Sequence, residues 1–128
     1  MQIYPMALKI GLTERHEMHT NDGEPIVEFL FPKDVDHVHN YDAHFERVLQ
    51  FLNARKDSEL TNVWLFVTGL TPLLTSTIKA MKFYNWNLVG NARLNRAIDT
   101  LTLWHYDTLS GKYREQCVTE LIEDSQFL

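Results

Sequence analysis

Acidic residues are missing from a long central part of this chain of 128 residues: none occurs between Glu59 and Asp99. That stretch holds Lys79, Lys82, Arg93 and Arg96 and is +4, so the remainder carries −9 of the net −5. The acidic total excludes a general nucleic-acid coat, whose affinity rests on clustered cations. The local basic excess would instead attract an anion to one region, or only solvate a helix face. Cysteine is nearly absent. Cys117 stands alone, so no disulfide can form within the chain. No apolar run reaches the length of a membrane span. The start MQIYPMALKIG lacks a basic region followed by a long apolar one. A soluble, cytoplasmic protein without membrane partners is expected.

Linkers, repeats and low-complexity tracts are also lacking, and 128 residues make one ordinary domain. Apolar residues form 45 % of the chain, enough for a core of its own. Ala7 to Leu12 is short and mildly apolar, compatible with a strand. TERHEMHTNDGEP follows and ends in an Asn-Asp-Gly turn signal. Pro25 to Phe31 is dense in β-formers and stops at Pro32, which predicts a strand. Asp34 to His44 reads as a polar connector. Phe45, Val48, Leu49 and Leu52 then fall on one helical stripe, with Asn40 or Asp42 as cap.

Asn62 to Thr68 is almost wholly apolar, as in a strand covered on both faces. Behind Gly69 and Leu70, Thr71 reads as an N-cap with Pro72 at the first helical position; Leu74, Ile78 and Met81 line one face. Residues 85–99 fit strand, helix or loop. Thr100 to Tyr106 alternates as a strand, Ser110-Gly111 is a turn, and Lys112 to Val118 is its hairpin partner. The tail from Thr119 reads as a short helix or a frayed end. The pattern predicts an α/β, Rossmann-like, three-layer domain: a mainly parallel sheet with a C-terminal antiparallel hairpin.

In such sheets ligands bind beyond the carboxyl ends of the strands. Three groups of polar residues would meet there. The first is the turn Thr68, Gly69, Leu70, Thr71, with Lys79 on the following helix. A helix start presents unpaired N–H groups and the positive end of its dipole, which suit phosphate or carboxylate. A capped connection without ligand reads equally well. Neither the P-loop pattern nor Gly-x-Gly-x-x-Gly is present, so no cofactor is named by a motif. The second group is His105 and Tyr106, an acid–base residue and a ring able to stack or to bond phosphate. The third is DVDHVHNYDAH, in which His37, His39 and Asp42 are candidate metal ligands of a metal-dependent phosphodiesterase or hydrolase. Its spacing is similar to the HxHxDH signature of metallo-β-lactamase-type hydrolases, with one residue more before the Asp. Solvated residues at a helix entrance would look the same. His16 and His19 read as exposed loop histidines.

Two stretches, VWLFVTGLTPLLTSTIKA and LTLWHYDTLSGKYREQ, resemble small Rossmann-like CRISPR-accessory proteins, in which a strand ends in a Gly/Thr-Pro turn before a helix and a later strand leads into a polar hairpin. The resemblance implies a sensor of cyclic oligoadenylates, or an enzyme that cleaves them, with Thr68, Gly69, Leu70 and Thr71 as the ligand-facing turn. It matches no catalytic residue to a position here, and residues 85–99 are an insertion relative to that pattern. The expected function is binding of a nucleotide-like or other phosphorylated ligand, such as a cyclic oligonucleotide, by a homodimer. A protein-binding adaptor with an acidic surface and no small ligand is the remaining alternative.

Overall fold

The computed structural model describes residues 7–15, 17–55, 60–68, 71–86 and 98–123. Among them the chain runs β1 (Leu8–Thr13), β2 (Phe29–Phe31), α1 (Tyr41–Asn53), β3 (Asn62–Val67), α2 (Thr71–Tyr84), β4 (Thr100–Asp107) and β5 (Lys112–Cys117), then a 3-10 turn, Thr119–Leu121. The five strands form one sheet in the order β2-β1-β3-β4-β5. The first four in that order are parallel, and β5 returns antiparallel to β4. Leu65 of β3 stands between Ile10 of β1 and Leu103 of β4.

The handedness of crossovers explains the layers. Both β2-α1-β3 and β3-α2-β4 step in one direction across the sheet. A right-handed crossover therefore puts both helices on one face. Leu12, Val63, Leu65, Leu101 and Leu103 meet Val48 and Leu52 of α1 and Leu73, Ala80, Met81 and Tyr84 of α2 in the main core. The step from β1 to β2 goes the other way, so its connection covers the opposite face. That connection brings Met18 and Ile26 onto Phe66, with Phe29, Trp64, Trp104 and Tyr113 packed around them. The third layer is thus a loop, tied down by Lys9, whose ammonium meets Glu24 at 2.6 Å and lies over the Trp64 ring.

β3 is apolar after Asn62 because both its faces are covered. Val63 and Leu65 enter the helical core, and Trp64 and Phe66 the aromatic one. Burying one such side chain is worth about 1.5–3 kcal/mol. Gly11 permits the close approach of β2: a Cβ there would stand 2.5 Å from the Phe29 ring. One cost remains in this layer. Trp104 Nε1 is buried without an acceptor among the described residues, a loss of about 1–3 kcal/mol.

The segment read as a strand over Pro25 to Phe31 is shorter in the structure. Only Phe29–Phe31 pairs with β1, while Pro25 makes one isolated bridge to His19 and Val27 is exposed. β1, the least marked strand in the sequence, lies near the middle of the sheet. α1 begins at Tyr41, four residues before its apolar stripe, and Asn40 caps it by accepting from the Ala43 N–H. At the far end of α2, the Asn85 amide donates to the carbonyls of Ile98 and Ile122 and accepts from the Ile98 N–H, fixing the helix end to the start of β4. Most of the insertion, with Arg93 and Arg96, lies outside the described residues. Among the described residues no helix is long and apolar enough to cross a membrane.

Candidate functional site

The connections from β1 and β3 leave toward opposite faces, so the crevice typical of open parallel sheets falls between their carboxyl ends. Here the protein closes it with two threonines. Thr13 Oγ1 donates to the Thr68 carbonyl at 2.7 Å, and Thr68 Oγ1 donates to the Thr13 carbonyl at 3.1 Å. The two hydroxyls are 3.2 Å apart. Thr13 is buried, and both hydroxyls are engaged within the fold. Thr68, expected to face a ligand, faces Thr13 instead. Gly69 and Leu70 lie outside the described residues.

The open feature lies one step along the rim. A groove of about 380 Å³ is lined by Tyr41 of α1 and by Thr71, Pro72, Thr75, Ser76 and Lys79 of α2. The expected pair Thr71 and Lys79 are therefore together. On α2 the residues 71, 75, 76 and 79 form one stripe, since positions three and four apart are neighbours. Two turns of helix make the groove about 12 Å long. α1 supplies the facing wall, because α1 and α2 pack side by side on the sheet.

Thr71 is the first residue of α2, one position inside the helix rather than its cap. Pro72 contributes no N–H to the first turn, so backbone donors are fewer there than a helix start usually offers. The holding groups are side chains one turn further on. Ser76 is 5 % exposed and lines the groove, and its hydroxyl makes no hydrogen bond among the described residues. By contrast, the neighbouring buried Thr77 donates to the Leu73 carbonyl at 2.8 Å, and Thr75 donates to the Thr71 carbonyl. Among the described residues Lys79 meets no carboxylate and no acidic side chain lines the groove. The Tyr41 hydroxyl is held by His39 Nδ1 at 2.8 Å, with the two rings edge to face. Among the described residues such a surface offers one cation, hydroxyls without a partner and a fixed aromatic ring.

His105 and Tyr106 do not join this groove. Successive strand residues point to opposite faces. His105 is on the helical face, 2.9 Å from the Gln116 side-chain oxygen. Tyr106 is on the aromatic face, edge to face with Tyr113, and lines a separate hollow of about 360 Å³ with Glu17, His19 and Lys112. Burial there raises the Tyr113 phenol above its usual pKa, helped by Tyr106. At the hairpin, Asp107 accepts from Arg114, the Leu109 N–H and Ser110, and these bonds lower its carboxyl below the ordinary range. Lys82 stands in the last turn of α2, where a cation suits the dipole.

The 34–44 segment folds around a third hollow, of about 370 Å³, lined in part by Asp34, Asp36, His37 and Arg47. His39 points to Tyr41 instead, and Asp42 occupies the first turn of α1, where its charge suits the helix. His44 is buried, its Nε2 2.9 Å from the Val38 carbonyl and its ring edge-on to Phe31. Among the described residues no three His, Cys, Asp or Glu side chains gather into a group able to hold a metal ion. The structure thus separates His37, His39 and Asp42 rather than converging them.

Strand order and rim define an α/β protein with a Rossmann-like, mostly parallel sheet. Compared with protein-family models, curated proteins and solved structures, the chain matches none. The sequence reading did not include Tyr41, Thr75 or Ser76. The last two were within reach, since they share a helical stripe with Thr71 and Lys79; Tyr41 depends on how α1 packs against α2.

Proposed function

We propose that this protein binds a nucleotide-like or other phosphorylated ligand in the groove between the start of α1 and the first turns of α2. The observation that carries the reading is Ser76: a residue only 5 % exposed whose hydroxyl has no partner among the described residues, on the wall of a groove whose described lining also holds Lys79 and no carboxylate. Polar side chains this deeply set are normally paired, and one left open toward a cavity is suited to an external partner. Lys79 and Ser76 are neighbours on the helix and reach the same anion. The acid-free run from Leu60 to Ile98 keeps acidic side chains off α2 itself. Thr71 and the opening of α2 contribute the positive end of a helix dipole.

The resemblance of residues 63–80 and 101–116 to CRISPR-accessory proteins makes cyclic oligoadenylates one class of ligand within this proposal, and a homodimer its expected form. Isothermal titration with mononucleotides, cyclic oligonucleotides and inorganic phosphate tests it. Binding that falls at least tenfold in Lys79→Gln is the expected outcome. No heat with any member of that panel at millimolar concentration overturns it.

A further inference from the structure

The phosphorylated-ligand reading leaves the rest of the ligand open, and the groove narrows it. We infer that the ligand carries a nucleobase stacked on Tyr41 and a single phosphate held between Ser76 and Lys79; this rests on the reading above.

Three observations carry it. The first is Tyr41. It is 53 % exposed and bears on the groove. An exposed tyrosine usually samples several rotamers, but this one is fixed from behind by the bond to His39 Nδ1 and by the edge-to-face contact with that ring. A pre-oriented ring with a free face is a stacking platform, since every base presents a π-face. Fixing it beforehand removes part of the ordering cost of binding. Pro72 adds an apolar surface to the same groove, and neither residue offers a charge to a second phosphate.

The second observation is charge. Among the described residues Lys79 is the only cation in the lining, and none of them there is an acid. One ammonium with the partial charge of a helix start, roughly half a unit, balances one phosphate group. A nucleoside triphosphate carries far more charge and usually arrives with Mg²⁺ held through a carboxylate. The described residues of this groove supply neither several cations nor a carboxylate for that ion.

The third is size. A volume of about 380 Å³ is near the lower end for small-molecule sites, and a length of about 12 Å along the helix accommodates one nucleotide unit. In this arrangement Ser76 Oγ donates to a phosphate oxygen and Lys79 Nζ lies against the same group. The base then extends toward Tyr41. Thr71 and Thr75 border the groove between solvent and sugar.

The test compares four probes on the intact chain by calorimetry: AMP, ribose 5-phosphate, ATP with Mg²⁺, and adenosine. AMP is expected to bind at least about tenfold more tightly than ribose 5-phosphate, as base stacking on one ring provides. Tyr41→Ala removes that advantage and leaves ribose 5-phosphate unchanged. Tyr41→Phe keeps most of it, because the ring does the stacking, and loses only the part that the bond to His39 contributes by holding the ring. Ser76→Ala and Lys79→Gln weaken both phosphates and leave adenosine unchanged. Tyr41 is exposed, so these variants fold; circular dichroism confirms it. Equal affinity for AMP and ribose 5-phosphate overturns the nucleobase inference while the phosphorylated-ligand reading stands. ATP binding tighter than AMP overturns the single-phosphate assignment alone. Failure of all four probes overturns this inference, and failure of cyclic oligonucleotides and inorganic phosphate as well overturns the reading beneath it.

Discussion

Two threonines at the mouth of the sheet and the serine in the neighbouring groove make an instructive pair. All three are short hydroxyl side chains at the same rim. Thr13 and Thr68 bond to each other's carbonyls and close the space between β1 and β3. Ser76 is as deeply buried as Thr13 and bonds to nothing among the described residues. A hydroxyl engaged within the fold contributes to stability, and one left open is available to a ligand. The position where parallel sheets usually bind is here a structural closure. The accessible chemistry has moved sideways, onto the flank of α2.

Substitutions can break that contrast. Among the hydroxyl variants the largest stability loss is expected from the Thr13→Val/Thr68→Val pair, which removes both hydroxyls and leaves polar backbone unpaired at a buried edge. A loss of about 1–3 kcal/mol in urea unfolding is expected, with ligand affinity unchanged. A shift in affinity larger than the change in stability would place the ligand at the mouth after all.

Thr77→Ala follows. It deletes a fully buried methyl and the bond to the Leu73 carbonyl, at a cost of about 1–2 kcal/mol. Ser76→Ala, one residue away, should stay within about 0.5 kcal/mol of the parent while binding weakens. Equal losses at the two positions would show that Ser76 has a structural partner. Trp104→Phe sharpens the point from the other side of the sheet. It also removes an N–H that has no acceptor among the described residues, which offsets part of the packing lost, so thermal unfolding should report less damage than Phe66→Ala, for which about 3–5 kcal/mol is expected.

The smallest effect is electrostatic. Asp107 has a carboxyl pKa below its ordinary value of 3.8, first through Arg114 and then through the turn. A depressed folded-state value means the contribution is present above about 3.8 and is lost as pH falls through the lower folded value. Amide exchange in the 107–111 turn should quicken over that acid range in the parent and vary less with pH in Asp107→Asn. Because the carboxylate is exposed, the global stability should barely move.

Much of the fold was legible along the chain. The unbroken apolar run of β3 announced a strand covered on both sides, and the alternation of Thr100 to Tyr106 with the Ser110-Gly111 turn announced the hairpin. The parallel direction of β2, β3 and β4 followed from helices placed between them. β1 was less legible because Lys9 and Gly11 interrupt its apolar character. Lys9 is explained by Glu24 and Trp64, and Gly11 by the Phe29 ring, and all of these partners are distant in sequence. The site was half legible. Thr71 and Lys79 share a helix and hence a computable spacing. Tyr41 stands thirty residues before Thr71, on another helix, and no local pattern joins the two.

Sequence alone determined the periods of its strands and helices, the acid-free stretch around α2, and the polar residues at the strand ends, because each is a property of neighbouring positions. Tertiary structure decided which of those polar groups are paired and which are open. His105 and Tyr106 went to opposite faces, Thr68 turned to Thr13, and Ser76 was left facing a groove. The physical reason is that a hydroxyl's fate depends on whichever acceptor packing brings within about 3 Å, and packing joins residues that the chain keeps far apart.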